Sequence, residues 1–186
     1  GGLYASILFK PAPYPEYAPR VSLTLAASVA ECLLRRGIPA MIKWPNDVLV
    51  DDGKLAGILA EAGGYREPWL ILGVGVNLAG IPDVPGRPVL PPVDWSAFGT
   101  PPTPRELLDE ILSRFGVLWP GVMDDPLLRA SGLLSERLWM RNRRVCIASG
   151  RERFWGILRG ISGDGGLVME METGERVFHS GELRPL

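Results

Sequence analysis

Between Met41 and Leu78 the chain reverses direction after every few residues, and this limits the folds open to it. Residues 41–44 and 48–50 are apolar, strand-like runs separated only by Pro45, Asn46 and Asp47. Asp51, Asp52 and Gly53 then lead into a third run over 54–61, and a fourth spans 69–78. Parallel strands need a crossover of about a dozen residues or more, whereas turns this short join antiparallel neighbours. Upstream, residues 3–9 read as a strand closed by Lys10 and Pro11, and Pro11, Pro13, Pro15 and Pro19 keep the chain after it out of helix and ladder. Val21, Leu25, Val29, Cys32 and Leu33 then recur at helical spacing over 21–36, with Gly37 and Pro39 as the stop. One helix followed by hairpin-connected strands predicts an α+β fold with a mixed, largely antiparallel sheet.

The second half changes character. Residues 80–102 hold seven prolines and read as a long, stiff surface connection. Thr103, Pro104 and Glu106 supply a helix cap, a first-turn proline and the closing residue of a capping box, followed by the apolar stripe of Leu107, Leu108, Ile111, Leu112 and Phe115. A second helical stretch is expected over 126–139. Beyond Arg143, short strands at 145–148, 154–161, 166–172 and 176–178 predict a small all-β barrel. The expected division is therefore residues 1–140 for the larger domain and 141–186 for the barrel.

A formal net charge of −1 gives no bulk reason to expect nucleic acid or an anionic membrane as partner. Arg141, Arg143 and Arg144 form a local basic cluster, read as a solvated connector or a contact for an acidic partner. Cys32 and Cys146 lie far apart without metal-ligand spacing, so buried thiols and a reducing, cytoplasmic setting are expected. No apolar run approaches the ~18 residues of a membrane-spanning helix, and the start has no basic signal-peptide region.

The chemistry concentrates at residues 43–59. With 17 Arg and only 3 Lys in the chain, placing Lys43 and Lys54 around one Pro-Asn-Asp turn indicates a need for compact ammonium groups. Lys54 is suited to hold a carboxylate and a phosphate as negative charge builds. Asp47 reads as a magnesium ligand or a proton acceptor, or as a simple Asx-turn. Gly57, Gly73 and Gly75 let strand backbone lie close to a ligand, with a bulge or packing contact as the plainer role for Gly57. Trp44 offers a ring to stack on, or is a core aromatic. Asn77 is placed for a base, a phosphate or a metal. His179 has no nucleophile or ligand cluster in its sequence neighbourhood.

Three blocks carry a resemblance: Lys43-Trp44-Pro45-Asn46-Asp47, Lys54-Leu55-Ala56-Gly57-Ile58-Leu59 and Gly73-Val74-Gly75-Val76-Asn77-Leu78. In order and spacing they resemble biotin protein ligases. Phe154-Trp155-Gly156-Ile157 and Gly165-Gly166-Leu167-Val168 resemble strands of the family's SH3-like end domain. The resemblance implies an enzyme that makes biotinyl-5′-AMP from biotin and ATP with Mg²⁺, then transfers biotin to a lysine of a biotin carboxyl carrier protein. Carried over residue by residue, Lys54 and Asp47 are catalytic; Lys54, Gly57, Leu59, Gly73 and Gly75 bind biotin; Lys43, Trp44, Asn46 and Asn77 bind the nucleotide; and Asp47 holds the metal. It also implies edge-to-edge pairing into a homodimer. The family's Gly/Arg-rich loop has no counterpart here, and residues 1–4 resemble the segment just after it. On that basis a fragment or a short relative, with weak or absent adenylate formation, is expected. A non-catalytic module that docks a carrier domain or partner chain, and a lipoate or octanoate ligase, are the competing expectations.

Overall fold

The computed structural model describes residues 1–10, 15–64, 66–81, 90–120 and 125–186. Its first sheet is ordered β1-β5-β4-β3-β2, from strands β1 (Gly2–Phe9), β2 (Met41–Lys43), β3 (Asp47–Val50), β4 (Gly53–Gly63) and β5 (Trp69–Asn77). Every pairing between these strands is antiparallel. Among the described residues, parallel geometry is confined to isolated bridges, Ile42 with Leu138 and Lys54 with Pro92, so "mixed" overstates the sheet. The reason is local: β2 to β5 follow one another through short connections that leave no room for a crossover.

Helix α1 (Ala18–Leu34) begins three residues before the expected start. Pro19 does not exclude it, because a proline in the first turn lacks only an N–H that would have no intrahelical partner. From Val21 to Ala30 every residue of α1 is buried, since it packs on the sheet and on α2 (Pro104–Leu118) together. Two of its three hydroxyls donate to carbonyls: Thr24 Oγ1 to Pro126 at 2.6 Å and Ser28 Oγ to Thr24 at 2.8 Å. Helix α2 starts on the expected capping box, with Glu106 N–H on Thr103 Oγ1 and Thr103 N–H on the Glu106 carboxylate. The expected second helix shortens to α3 (Ser131–Arg137), preceded by turns over 126–130.

Along β5, Leu70, Leu72, Val74 and Val76 are buried, while Gly73, Gly75 and Asn77 alternate with them on the opposite face. The helices cover the first face; the second holds the candidate site. Of the proline-rich connection, residues 82–89 lie outside the described residues. The rest is not merely a surface strap: Trp95 is buried in a 3-10 turn over Trp95–Phe98, and Pro91 and Val93 pair with the backbone of Lys54.

A second antiparallel sheet, ordered β10-β6-β7-β8-β9, is built from β6 (Arg144–Ser149), β7 (Glu152–Ile161), β8 (Leu167–Met171), β9 (Gly174–Phe178) and β10 (Glu182–Pro185). β10 was not expected, because Glu182-Leu183-Arg184-Pro185 has one apolar residue to carry a strand pattern. Leu183 nevertheless joins Val145, Ile147, Leu158, Met169 and Phe178 in the core. The first sheet is tied to the C-terminal part of the chain where the Trp139 N–H, between α3 and β6, bonds the Ile42 carbonyl and where the Trp44 indole reaches the Ser162–Gly166 turn of the second sheet. Both thiols are free and buried, and burial together with nearby Glu110 pushes Cys32 up to about 12. Among the described residues no helix is long and apolar enough to cross a membrane.

Candidate functional site

Strand register places five residues in one row across the whole first sheet. Tyr4 faces Gly75, Gly75 faces Gly57, Gly57 faces Asp47 and Asp47 faces Lys43. One step along, Ser6 faces Gly73 and Gly73 faces Leu59. Side chains of one row share a face, so the centre of this face is bare backbone between Tyr4 on one flank and charged groups on the other. The result is an open trough of about 540 Å³. Its floor is glycine; its rims are Tyr4, 73% exposed, and Leu59, 61% exposed.

Lys54 reaches this face through an irregularity. Asp47 pairs with Gly57 and Val48 with Ala56, but Leu49 pairs with Lys54, leaving one extra residue in β4. The bulge shifts the alternation, so the Lys54 side chain emerges on the face that Gly57 leaves bare. Lys54 Nζ then sits 2.6 Å from Asp47 Oδ1, and a β-carbon added to Gly57 would lie 3.2 Å from both Cε and Nζ of Lys54. The Lys54 backbone is fixed as well: its N–H donates to the Pro91 carbonyl at 2.8 Å, and its carbonyl accepts from Val93 N–H at 3.0 Å. Asn77 Nδ2 ties this arrangement together, donating to the carbonyls of Val93 at 3.0 Å and Lys54 at 3.4 Å.

Lys43 ends the row on the other side of Asp47, its Nζ 3.8 Å from Asp47 Oδ2. Burial pushes its ammonium below the usual lysine range and nearby Lys54 adds to this, while Asp47 and, from β10, Glu182 oppose the shift. The second sheet thus contributes a charge to the edge of the trough. Asn46 lines the trough and donates its amide to the Ile58 carbonyl at 2.6 Å, pinning the β2–β3 turn to β4.

The comparisons with known proteins agree with this layout. Residues 1–77 match the model of the Biotin/lipoate A/B protein ligase family. The chain is 30% identical over 197 residues to the biotin–[acetyl-CoA-carboxylase] ligase of Paracoccus denitrificans, covering 98% of this chain and 80% of that protein. The chain belongs to the biotin protein ligase family. A solved biotin protein ligase from Aquifex aeolicus superposes with a TM-score of 0.84 at 27% identity, over 100% of this chain and 83% of that one. The same enzyme solved in complex with biotin and ATP gives 0.83 at 26% identity, with 79% of that chain covered.

For a biotin-ligase-family chain, the expected site residues divide into two groups. Lys54, Asp47, Gly57, Leu59, Gly73, Gly75, Lys43 and Asn46 meet on or beside one face of the sheet. Trp44 does not. It is 1% exposed and its indole N–H is engaged by the Gly165 carbonyl at 3.0 Å, so it offers no free ring face to a nucleotide and instead locks the two sheets together. Asn77 is on the right face but its amide nitrogen holds backbone, which makes it a positioning group for Lys54. Asp47 does not fit a metal seat. Two ammonium groups already flank its carboxylate, and among the described residues no three His, Cys, Asp or Glu side chains gather around a common point. His179 lies outside the site, 3.8 Å from Asp164 in the second sheet.

Sequence reading missed Tyr4 and Ser6, which line the trough opposite the lysines. Tyr4 lays its ring over Gly75, where an added β-carbon would lie 3.4 Å from Tyr4 Cδ1. The only signal available was the exposed alternation of Tyr4, Ser6 and Leu8, and its meaning depends on a pairing some seventy residues away.

Proposed function

We propose that this chain activates biotin with ATP and transfers it to a lysine of a biotin carboxyl carrier protein. The observation that carries this reading is the glycine-floored trough with Lys54 held above Gly57. A flat, apolar acid lies on bare backbone between Tyr4 and Leu59, and its carboxylate reaches the Lys54 ammonium. A carboxylate oxygen attacks the α-phosphorus of ATP, the new P–O bond forms as the bond to pyrophosphate breaks, and the acyl-adenylate remains. Lys54 stabilises the charge that accumulates there, and Lys43 adds a second cation at the end of the row. The carrier's lysine amine then attacks the acyl carbon; the amide forms, AMP leaves and the amine gives up a proton. Asp47 keeps both ammonium groups aimed into the trough.

In the same reading, residues 1–140 form the catalytic domain and 141–186 a small SH3-like barrel, which the five short strands of the second sheet support. Two unpaired thiols fit a reducing, cytoplasmic setting. Biotin-dependent ATP–pyrophosphate exchange tests the function. Exchange is expected with biotin, not with lipoate, and is lost in Lys54→Ala; equal exchange in Lys54→Ala, or exchange with lipoate alone, would sink the assignment.

A further inference from the structure

Lys54 stands where the first sheet is least complete. The β4–β5 ladder begins at Ala56 with Val76, so Lys54 has no β5 partner among the described residues. On the other side of β4, the ladder with β3 is irregular beside it. A bulged backbone that is not held can turn, and its side chain turns with it. Residues 90–96 take the vacant place. Pro92 forms a parallel bridge with Lys54, through the Lys54 N–H on the Pro91 carbonyl and the Val93 N–H on the Lys54 carbonyl.

The sequence of this strap fixes where it lies. Pro91 and Pro92 carry no N–H, so a slip that brought Pro92 to the position of Val93 would leave the Lys54 carbonyl without its donor. Val93 fills the space over Gly53, where an added β-carbon would lie 2.2 Å from Val93 Cγ1 and 3.0 Å from Cγ2. A slip the other way would draw the valine out of that space. Asp94 then fastens the strap to the chain leaving β5. Its Oδ2 accepts the Gly80 N–H at 2.9 Å and its Oδ1 the Ser96 hydroxyl at 2.5 Å, while the Ser96 N–H donates to the Leu78 carbonyl at 3.0 Å. The Ser96 hydroxyl, helped by the Gly80 N–H, holds the Asp94 carboxyl below the usual carboxylate range, so this latch is ionised at neutral pH.

We propose that Val93 and Asp94 are positioning residues for Lys54. Val93 seats the strap on Gly53, Asp94 latches it to Gly80, and together they keep the Lys54 ammonium over Gly57, where it meets the carboxylate of an acid in the trough. Neither residue lines the trough itself. The inference rests on the proposed function for the identity of that acid. It adds that the preference for a carboxylate over a neutral analogue is set partly outside the trough, by residues that touch only the backbone of Lys54 and its neighbours.

The test uses the full chain with Asp94→Ala, Asp94→Asn, Gly53→Ala and the double variant Gly53→Ala/Val93→Ala. Calorimetry measures binding of biotin and of its neutral amide, biotinamide. NMR measures hydrogen exchange at the Lys54 and Val93 amides, with the Ile58 amide, held by the Asn46 carbonyl at 2.9 Å, as internal control. In Asp94→Ala, exchange at Lys54 and Val93 is expected to rise about tenfold or more while Ile58 is unchanged. Biotin weakens about fivefold or more and biotinamide stays within about twofold. Asp94→Asn keeps an oxygen acceptor and stays within about twofold of the parent for both ligands. Gly53→Ala behaves as Asp94→Ala does, and adding Val93→Ala restores biotin binding by removing the γ-carbons that the new methyl meets. In a Lys54→Ala background, Asp94→Ala has no further effect on biotin. Unchanged Lys54 exchange and biotin affinity in Asp94→Ala overturn the proposal, and so does an equal loss of biotin and biotinamide, which is the mark of general disruption. A parent that binds neither ligand counts against the functional reading, and the amide exchange then decides by itself whether the strap holds Lys54.

Discussion

Gly57→Ala separates a glycine kept for a ligand from one kept for the fold. Gly57 has no positive φ, so the alanine backbone is unstrained. In a strand interior the change from glycine contributes about 0.5–1 kcal/mol of stability, through lower backbone entropy in the unfolded chain. Against this, the new methyl lies 3.2 Å from Lys54 Cε and Nζ, and 3.6 Å from Asp47 Oδ1, so the lysine must swing aside. The displaced ion pair has a Lys54 side chain that is 46% exposed, and pairs of that kind contribute about 0–1 kcal/mol. The two effects nearly cancel, so urea denaturation is expected to give a stability within about 1 kcal/mol of the parent. Binding behaves differently. Losing a hydrogen bond from an ammonium to the ligand carboxylate costs about 1.5–3 kcal/mol, or roughly 10- to 150-fold in Kd. Calorimetric titration with biotin measures this directly. A variant that binds biotin within about threefold of the parent refutes the placement of the carboxylate at Lys54. A variant that loses more than about 2 kcal/mol of stability shows instead that Gly57 serves packing.

Other expectations follow from single contacts. Trp44→Phe leaves the Gly165 carbonyl without its indole donor and is expected to destabilise the chain by about 1–3 kcal/mol in urea, with biotin affinity in the folded fraction unchanged. Lys43 is held below its ordinary value of 10.5, so the unfolded chain binds more protons between the lowered value and 10.5 and stability rises with pH there. Subtracting the stability–pH curve of Lys43→Met from that of the parent should therefore give a difference that grows in the parent's favour over this alkaline window; a flat difference removes Lys43 as its source. Cys32, pushed up to about 12 and buried, is expected to resist iodoacetamide at pH ~8 until the chain is unfolded; mass spectrometry of native and urea-treated samples reads the difference. Thr103→Ala removes the side-chain acceptor of the α2 capping box while leaving the backbone N–H of residue 103 on the Glu106 carboxylate, and should cost about 1 kcal/mol by thermal or chemical denaturation.

Much of the first sheet was legible because its turns are written in strong local chemistry. Pro45, Asn46, Asp51, Asp52 and Gly53 fix the hairpins, and three motif blocks gather most of the ligand face. What could not be read was register. Nothing in residues 3–9 says that Tyr4 lies over Gly75 or that Ser6 faces Gly73, since those pairings are decided by the sheet as a whole. Trp44 stays open between two roles in the sequence for a related reason: an aromatic beside a charged turn can stack a ligand or fill the core, and the distant Gly165 carbonyl favours the core role. β10 escaped notice because a strand that buries one leucine, Leu183, leaves almost no pattern. The proline-rich stretch reads as a surface strap because prolines signal stiffness; the inward-facing Trp95 and the backbone pairing at Lys54 depend on distant partners.

The bulge in β4 has a consequence for how this site can change. In a regular strand, residues three apart point to opposite sides, so a lysine at position 54 and a glycine floor at position 57 could not serve one ligand. One surplus residue makes them neighbours, and its cost is an imperfect ladder between β3 and β4. Inserting one residue into β3 between Val48 and Leu49, opposite Leu55, would make the pairing regular with Lys54 three places from Gly57, and would turn this half-exposed cation to the other side of the sheet. At the spacing this chain has between Lys54 and Gly57, the ladder defect is thus part of the ligand site.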